Sequence, residues 1–190
     1  IGAICKSRGV TFLVDGAQTA GVVPIDIAAQ NIDLLACPGH KSLFGPTGTG
    51  FLYVAPTIQL RTWREGGTGG DSSTETQPTL MPYWLEGGTP NVLGVAGLNA
   101  GLKWVTQEGL QSLHKREMEL VGQLREGLRS IDAIQLMGSD NLHQTVATVS
   151  FRSDILPAPE IGSILDQAFE IAVRSGLHCS PYIHKAQGSF

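Results

Sequence analysis

The sequence lacks several features that would assign it to a broad class of protein. No apolar run approaches the roughly 18 residues that cross a membrane. There is no block of basic residues and the formal net charge is −4, so neither nucleic acid nor a membrane surface is an expected partner. With 42% hydrophobic and 16% charged residues, the chain has the balance of an ordinary globular protein.

Cysteine is also scarce. Cys5, Cys37 and Cys179 are the only three, and they lie far apart in the chain. This pattern predicts neither a disulfide framework nor a C-x-x-C metal site, and no other spacing of histidine and cysteine matches a known set of metal ligands. We therefore expect a cytoplasmic protein without a metal. Because its 190 residues begin with Ile1 rather than methionine, we also expect a partial chain of a longer protein.

Three short apolar runs in the first half of the chain predict strands. They span residues 10–14, 32–37 and 51–54, with turns or short helical pieces between them. This order predicts an α/β fold with a mainly parallel or mixed sheet. Asn91 predicts the N-cap of a helix that runs through Val105, and apolar spacing predicts a second helix over about residues 110–130. The glycine-rich residues 66–77 predict a mobile loop.

The second half of the chain has a different pattern. It predicts a strand over residues 145–151, a helix over 158–169 and a short strand over 171–174. This α+β pattern predicts a domain boundary after residue 108. Residues 1–108 would be the later part of a larger domain, and residues 109–190 a smaller, incomplete C-terminal domain.

Lys41 stands between the second and third predicted strands, in a stretch over residues 39–50 that reads GHKSLFGPTGTG. A lysine at a strand end can act as a nucleophilic amine, although a lone lysine more often lies in a surface turn. Asp15 ends the first predicted strand, where parallel sheets carry ligands, although an aspartate before a glycine is also typical of turns. The glycines do not form a nucleotide-binding loop, because no Lys-Ser/Thr pair follows them and they lead into a strand.

A lysine and an aspartate at neighbouring strand ends suit pyridoxal 5′-phosphate (PLP). This cofactor needs a lysine for its Schiff base and an acid against its pyridine nitrogen, which keeps the ring an electron sink. Lys41 and Asp15 meet the two needs. Gln18 would donate a hydrogen bond to the phenolic oxygen of the ring, and His40 would donate to the phosphate.

Four motifs in this order resemble the class V aminotransferase family, in particular its branch of cysteine desulfurases and selenocysteine lyases. They read VDGAQ at residues 14–18, GHK at 39–41 with the glycines that follow, EGGTPN at 86–91 and RSGLHC at 174–179. The resemblance implies a PLP-dependent transferase of fold type I, with a mixed sheet in the large domain and a smaller α+β domain. It also implies a homodimer in which Thr89 reaches the phosphate bound by the neighbouring subunit.

The same resemblance implies a reaction on a small amino acid. L-cysteine would become L-alanine, and its sulfur would pass to Cys179 as a persulfide and then to an acceptor protein. Arg174 is assigned to substrate binding, and with His178 it would favour the Cys179 thiolate. Two alternatives stay open: another class V reaction, either transamination or selenocysteine lysis, or a non-catalytic remnant without cofactor. The partial chain alone is expected to be inactive.

Overall fold

The computed structural model of the chain describes residues 1–67 and 73–189. Its internal contacts divide the chain into two units, Ile1–Leu113 and His114–Phe190. The domain boundary after residue 108 stays a prediction. The centre of the predicted mobile loop, residues 68–72, lies outside the described residues. Of the helices in the described part of the chain, none is long and apolar enough to cross a membrane.

A mixed three-stranded sheet follows the short helix α1 (Gly2–Ser7) in the first unit. Its strands, in spatial order, are β1 (Leu13–Asp15), β2 (Leu34–Pro38) and β3 (Gly50–Val54). β1 runs parallel to β2, with Asp15 opposite Ala36, and β3 runs antiparallel to β2, with Gly50 opposite Pro38. The predicted mixed sheet is confirmed.

β1 is shorter than the strand predicted over residues 10–14. The N–H of Phe12 donates to Oδ2 of Asp33 at 2.8 Å, and its carbonyl accepts the N–H groups of Asp33 and Leu34. Because an aspartate side chain takes the place of a strand partner at Phe12, regular pairing begins only at Leu13.

The core of the first unit joins β2 to a long helix, α2 (Val92–Glu108). Asn91 is its N-cap, as predicted, since its side-chain oxygen accepts the N–H of Gly94 at 3.0 Å. The buried apolar cluster comprises Ile32, Leu35, Cys37, Leu43 and Leu98. Leu98 is therefore the buried residue by which α2 enters the core beside β2, and the half-buried Leu102 packs against the same cluster.

The second unit contains most of α3 (Leu110–Arg129), which confirms the second predicted helix. It continues with β4 (Ile134–Leu136), β5 (Phe151–Ser153), α4 (Ala158–Phe169) and α5 (Pro181–Ala186). β4 and β5 pair antiparallel, with Gln135 opposite Arg152. α4 has the predicted bounds. Pro159 suits the first turn of a helix, because the main-chain N–H that proline lacks would have no partner within the helix there.

Both strands predicted in the second half of the chain are wrong: one begins later than predicted, and the other is not a strand. The strand expected over residues 145–151 begins only at Phe151, and residues 171–174 form no strand. Glu170 ends α4 with a left-handed φ of 57°, and the N–H of Ile171 donates to the carbonyl of Leu165 at 2.9 Å. The chain is thus turned back along α4 and meets no pairing strand in the described part of the chain.

Candidate active site

Asp15 lies at the carboxyl end of β1, where the chain leaves the sheet. Its Oδ1 accepts the N–H of Ala17 at 2.8 Å, so the turn orients the carboxylate while Oδ2 has no hydrogen bond within the described residues. The N–H of Gly16 donates to the Ala36 carbonyl at 2.8 Å, and a Cβ at Gly16 would lie 3.2 Å from Sγ of Cys37. The turn that is typical of an aspartate before a glycine is present at Asp15, and it leaves one carboxylate oxygen available.

The loop after β2, which we call the lysine loop (residues 39–49), is held by main-chain hydrogen bonds. The N–H of Gly39 donates to the Thr49 carbonyl, and that of Gly45 to the Gly39 carbonyl, both at 2.8 Å. The N–H of Phe44 donates to the Lys41 carbonyl at 2.9 Å and closes a turn at Lys41 itself. Lys41 is exposed, and its amine has no hydrogen bond or ion pair among the residues that the structure describes.

The two loops leave the sheet at the same edge, because β1 and β2 are parallel neighbours. They also touch. Gly21 has a φ of 87°, and a Cβ there would lie 2.7 Å from the carbonyl carbon of Ser42. Burial, and then the negative charge of Asp15, raise the pKa of Cys37 beside the lysine loop. A carboxylate and an amine are thus carried on two adjacent loops that pack against each other.

Three glycines of α2 support the lysine loop from the helix side; we call Gly94, Gly97 and Gly101 the glycine face of α2. A Cβ at Gly97 would lie 2.6 Å from Cγ of Pro46, and one at Gly101 would lie 2.7 Å from the Phe44 carbonyl carbon. Helix and loop therefore meet at backbone distance. This face was not predicted from the sequence, although glycines three and four positions apart in a predicted helix were a visible signal.

The other predicted cofactor residues are exposed. Gln18 lies in the turn after Asp15, and His40 directly precedes Lys41, so both belong to the same edge of the sheet. Thr89 lies in a separate segment, two residues before the N-cap of α2. Within the described residues, no hydrogen bond joins Thr89 to Asp15 or Lys41.

The segment that we call the cysteine loop (residues 174–180) lies in the second unit and is held by its own side chains. Nη2 of Arg174 lies 3.8 Å from Sγ of Cys179. Nε2 of His178 lies 2.7 Å from the carbonyl oxygen of Arg174, and since that oxygen can only accept, the histidine donates. Gly176 and His178 have left-handed φ values of 94° and 54°, and these bends bring Cys179 back towards Arg174.

The three cysteines differ in exposure. Cys179 is exposed and Cys5 is half-buried, whereas Cys37 is buried with 4% of its surface accessible. The guanidinium of Arg174 is the cation beside the Cys179 thiol; its binding of a substrate stays a prediction. Among the described residues, no group of three or more His, Cys, Asp or Glu side chains is arranged to hold a metal ion.

Comparison with known proteins identifies a family and its relatives. The family model for class V aminotransferases matches residues 1–189. A probable cysteine desulfurase of Pyrococcus abyssi (strain GE5 / Orsay) is 35% identical over 185 residues, which are 95% of this chain and 45% of the relative. A cysteine desulfurase of Escherichia coli O157:H7 is 35% identical over 182 residues, which are 93% of this chain and 44% of the relative.

Solved structures agree with these matches. The cysteine desulfurase of Thermococcus onnurineus NA1 has a TM-score of 0.82 at 35% identity, over 98% of this chain and 47% of that one. The cysteine desulfurase CsdA of Escherichia coli has a TM-score of 0.86 at 28% identity, over 98% of this chain and 46% of that one. The predicted fold class, part of a fold type I transferase, is confirmed. The chain spans about half the length of the relatives that it matches.

Proposed function

Because the chain belongs to the class V aminotransferase family, we propose that the whole protein removes sulfur from L-cysteine, leaves L-alanine and uses PLP as its cofactor. The observation that carries the sulfur chemistry is the exposed thiol of Cys179 with the Arg174 guanidinium 3.8 Å away. A cysteine with an adjacent cation and access to solvent has the surroundings of a reactive thiol, unlike one buried in a core.

The two adjacent loops at the sheet edge fit the proposed cofactor. Lys41 would be its covalent anchor, and the open Oδ2 of Asp15 would hold the proton on the pyridine nitrogen. When bound, the cofactor supplies an electron sink for the negative charge that develops on the substrate. Gln18 would donate to the phenolic oxygen, and His40 would donate to the phosphate.

Main-chain atoms pack closely around the two loops that carry these side chains. The glycines whose missing Cβ atoms would collide with a neighbouring loop or helix include Gly21, Gly39 and Gly45. Such close approaches fix the loops relative to each other without side chains of their own. They favour a site that is formed before the cofactor binds, which lowers the cost of binding.

In the proposed sulfur transfer, Sγ of Cys179 attacks the sulfur of the substrate. A sulfur–sulfur bond forms as the carbon–sulfur bond of L-cysteine breaks. The electron pair of the broken bond stays on the carbon, which takes up a proton and becomes the methyl group of L-alanine. Arg174 stabilises the attacking thiolate, and with five N–H donors it has others left for binding the substrate. The persulfide on Cys179 then passes its sulfur to an acceptor protein.

The finer assignments rest on the motifs of the family. Thr89 would bind the phosphate in the site of the neighbouring subunit, so the intact protein would be a homodimer with shared sites. The reaction, a carbon–sulfur bond cleavage of the lyase kind, would take place in the cytoplasm, where free thiols such as those of Cys5 and Cys37 persist.

Transamination is the second candidate function, because the family description itself names aminotransferases. The loops of Asp15 and Lys41 would serve either reaction, since both need an electron sink. The two candidates differ at Cys179, which transamination does not use. Selenocysteine lysis would use the same site with selenium in place of the substrate sulfur.

The test uses the full-length protein with L-cysteine, and measures sulfide in the presence of a reductant together with alanine. We expect equal amounts of the two products. Cys179→Ser should keep the visible absorbance of the cofactor and lose at least about a thousandfold in rate, while Cys5→Ser keeps both. Lys41→Ala should lose absorbance and activity together. A normal rate of sulfide release by Cys179→Ser would overturn the mechanism, and amino transfer to a 2-oxo acid in its place would establish the transaminase.

A further inference from the structure

Gln77 joins main-chain groups from two distant parts of the first unit. Its Nε2 donates to the carbonyl of Tyr83 at 2.5 Å and to that of Glu86 at 2.8 Å. Its Oε1 accepts the N–H of Gly66 at 3.3 Å. One half-buried carboxamide therefore uses both of its donors and its acceptor on the backbone, and no residue of the proposed site is among its partners.

The effect of these bonds is to hold the segment that carries Thr89. Residues 86–88 lie against residues 64–66, where a Cβ at Gly87 would be 3.1 Å from Cγ of Arg64. At the other end of the segment, the side chain of Asn91 accepts the N–H of Gly94. Two carboxamides thus fix the segment on either side, and Thr89 lies exposed between them.

We infer that Gln77 is a positioning residue for Thr89, and that through Thr89 it sets the affinity of the site for the phosphate group of the cofactor. The inference rests on the proposed function, in which Thr89 binds that phosphate. A hydroxyl binds an anion well only when its backbone is already ordered, because ordering the chain during binding weakens the affinity. Gln77 supplies that order without touching the ligand.

The test is the substitution Gln77→Glu in the full-length protein. It keeps the size of the side chain but replaces its N–H donors with an oxygen that repels the carbonyls of Tyr83 and Glu86. Affinity is measured by titrating the cofactor-free protein with PLP and with pyridoxal, which lacks the phosphate. We expect Gln77→Glu to weaken PLP binding about tenfold, as the loss of one or two hydrogen bonds predicts, and to leave pyridoxal binding unchanged.

A double-mutant cycle with Thr89→Val shows whether Gln77 acts through Thr89. If it does, the double variant binds PLP no more weakly than Thr89→Val alone. Gln59→Glu, which makes the same change of charge at an exposed glutamine, should bind PLP like the unchanged protein. Should Gln77→Glu fail to fold, Gln77→Met removes the same hydrogen bonds without adding charge and has the same expected outcome.

Four results would overturn the inference. Equal weakening of PLP and pyridoxal binding would show general damage to the pocket, and additive effects in the cycle would separate Gln77 from Thr89. Normal PLP affinity in Gln77→Glu and Gln77→Met, with weak affinity in Thr89→Val, would reject the inference and leave the proposed function intact. If the unchanged protein bound no PLP, the proposed function and the inference would fail together.

Discussion

The lysine loop and the cysteine loop carry the two nucleophiles of the proposed reaction, and they are held in different ways. The lysine loop is closed by main-chain hydrogen bonds between its own residues, Gly39 to Thr49 among them, and it lies against the glycine face of α2, a helix far along the chain. The cysteine loop is held by Arg174 and His178, whose contacts join residues no more than five positions apart.

This difference matches the two proposed tasks. An anchor for a cofactor must keep one geometry. Close packing against the backbone provides that geometry, because main-chain atoms in close contact can shift only slightly. A thiol that receives sulfur and passes it to a partner must be reachable, and an exposed loop with local hydrogen bonds leaves Cys179 accessible. The comparison predicts that the lysine loop will be sensitive to added volume and the cysteine loop to loss of charge.

The largest expected effect is on the reactivity of the thiols. In the native full-length protein, iodoacetamide should modify Cys179 at least about a hundredfold faster than Cys37, because burial and the charge of Asp15 raise the pKa of Cys37 and keep it a neutral thiol. Mass spectrometry of the peptides gives both rates. Arg174→Gln should slow the reaction of Cys179 several-fold, and Arg8→Gln, at an exposed arginine elsewhere, should not. Similar rates for Cys179 and Cys37 would remove the distinction between the two loops.

A smaller effect, on stability and on PLP binding, is expected when a methyl group is added to the glycine face of α2. Gly101→Ala would push into the Phe44 carbonyl, and such overpacking costs about 1–3 kcal/mol, offset in part by about 1 kcal/mol of helix propensity. Because Phe44 is bonded to the Lys41 carbonyl, the variant should also hold less PLP. Denaturant unfolding and cofactor absorbance measure the two effects.

Gly127→Ala in α3 is the matched control for that substitution. A Cβ at Gly127 has no neighbour within 4 Å, so the same change should stabilise the protein by up to about 1 kcal/mol and leave PLP binding alone. If both variants were stabilised equally, the glycine face would have no part in supporting the lysine loop.

The smallest expected effect concerns an ion pair in the unit of the cysteine loop. Hydrogen bonds from Arg129 and Arg125 lower the pKa of Asp140. A carboxyl with a lowered folded-state pKa contributes stability above its ordinary pKa, and this contribution is lost as the pH falls through the folded-state value. Asp140→Asn should therefore lower the thermal midpoint at neutral pH, and the difference should shrink progressively below about pH 4.

This pH dependence also distinguishes charge from packing as the source of stability. Gly101→Ala, whose effect is steric, should shift the midpoint by a similar amount at neutral and acidic pH. A loss of stability in Asp140→Asn that is the same at both pH values would show that the ion pair with Arg125 and Arg129 does not contribute through its charge.

Local sequence patterns predicted the helix ends, which depend on residues close together in the chain. The bounds of α4 followed from Pro159 and apolar spacing, and the start of α2 from the cap at Asn91. Residues 171–174 show the limit of this reasoning. Ile171 and Val173 favour a strand, but strand formation needs a partner, and the left-handed Glu170 turns the chain back along α4 instead.

By itself, the sequence determined which reactive side chains stand at the ends of β1 and β2 and in the cysteine loop. Glycines and flanking apolar runs limit the conformations of the nearby backbone, so the positions of these side chains along the chain could be recognised locally. The tertiary structure alone decided which distant groups meet. It brought Gly21 against Ser42, the glycine face of α2 against the lysine loop, and Gln77 between Gly66 and Glu86. Such contacts depend on how separate elements pack, and no local pattern along the chain specifies that packing.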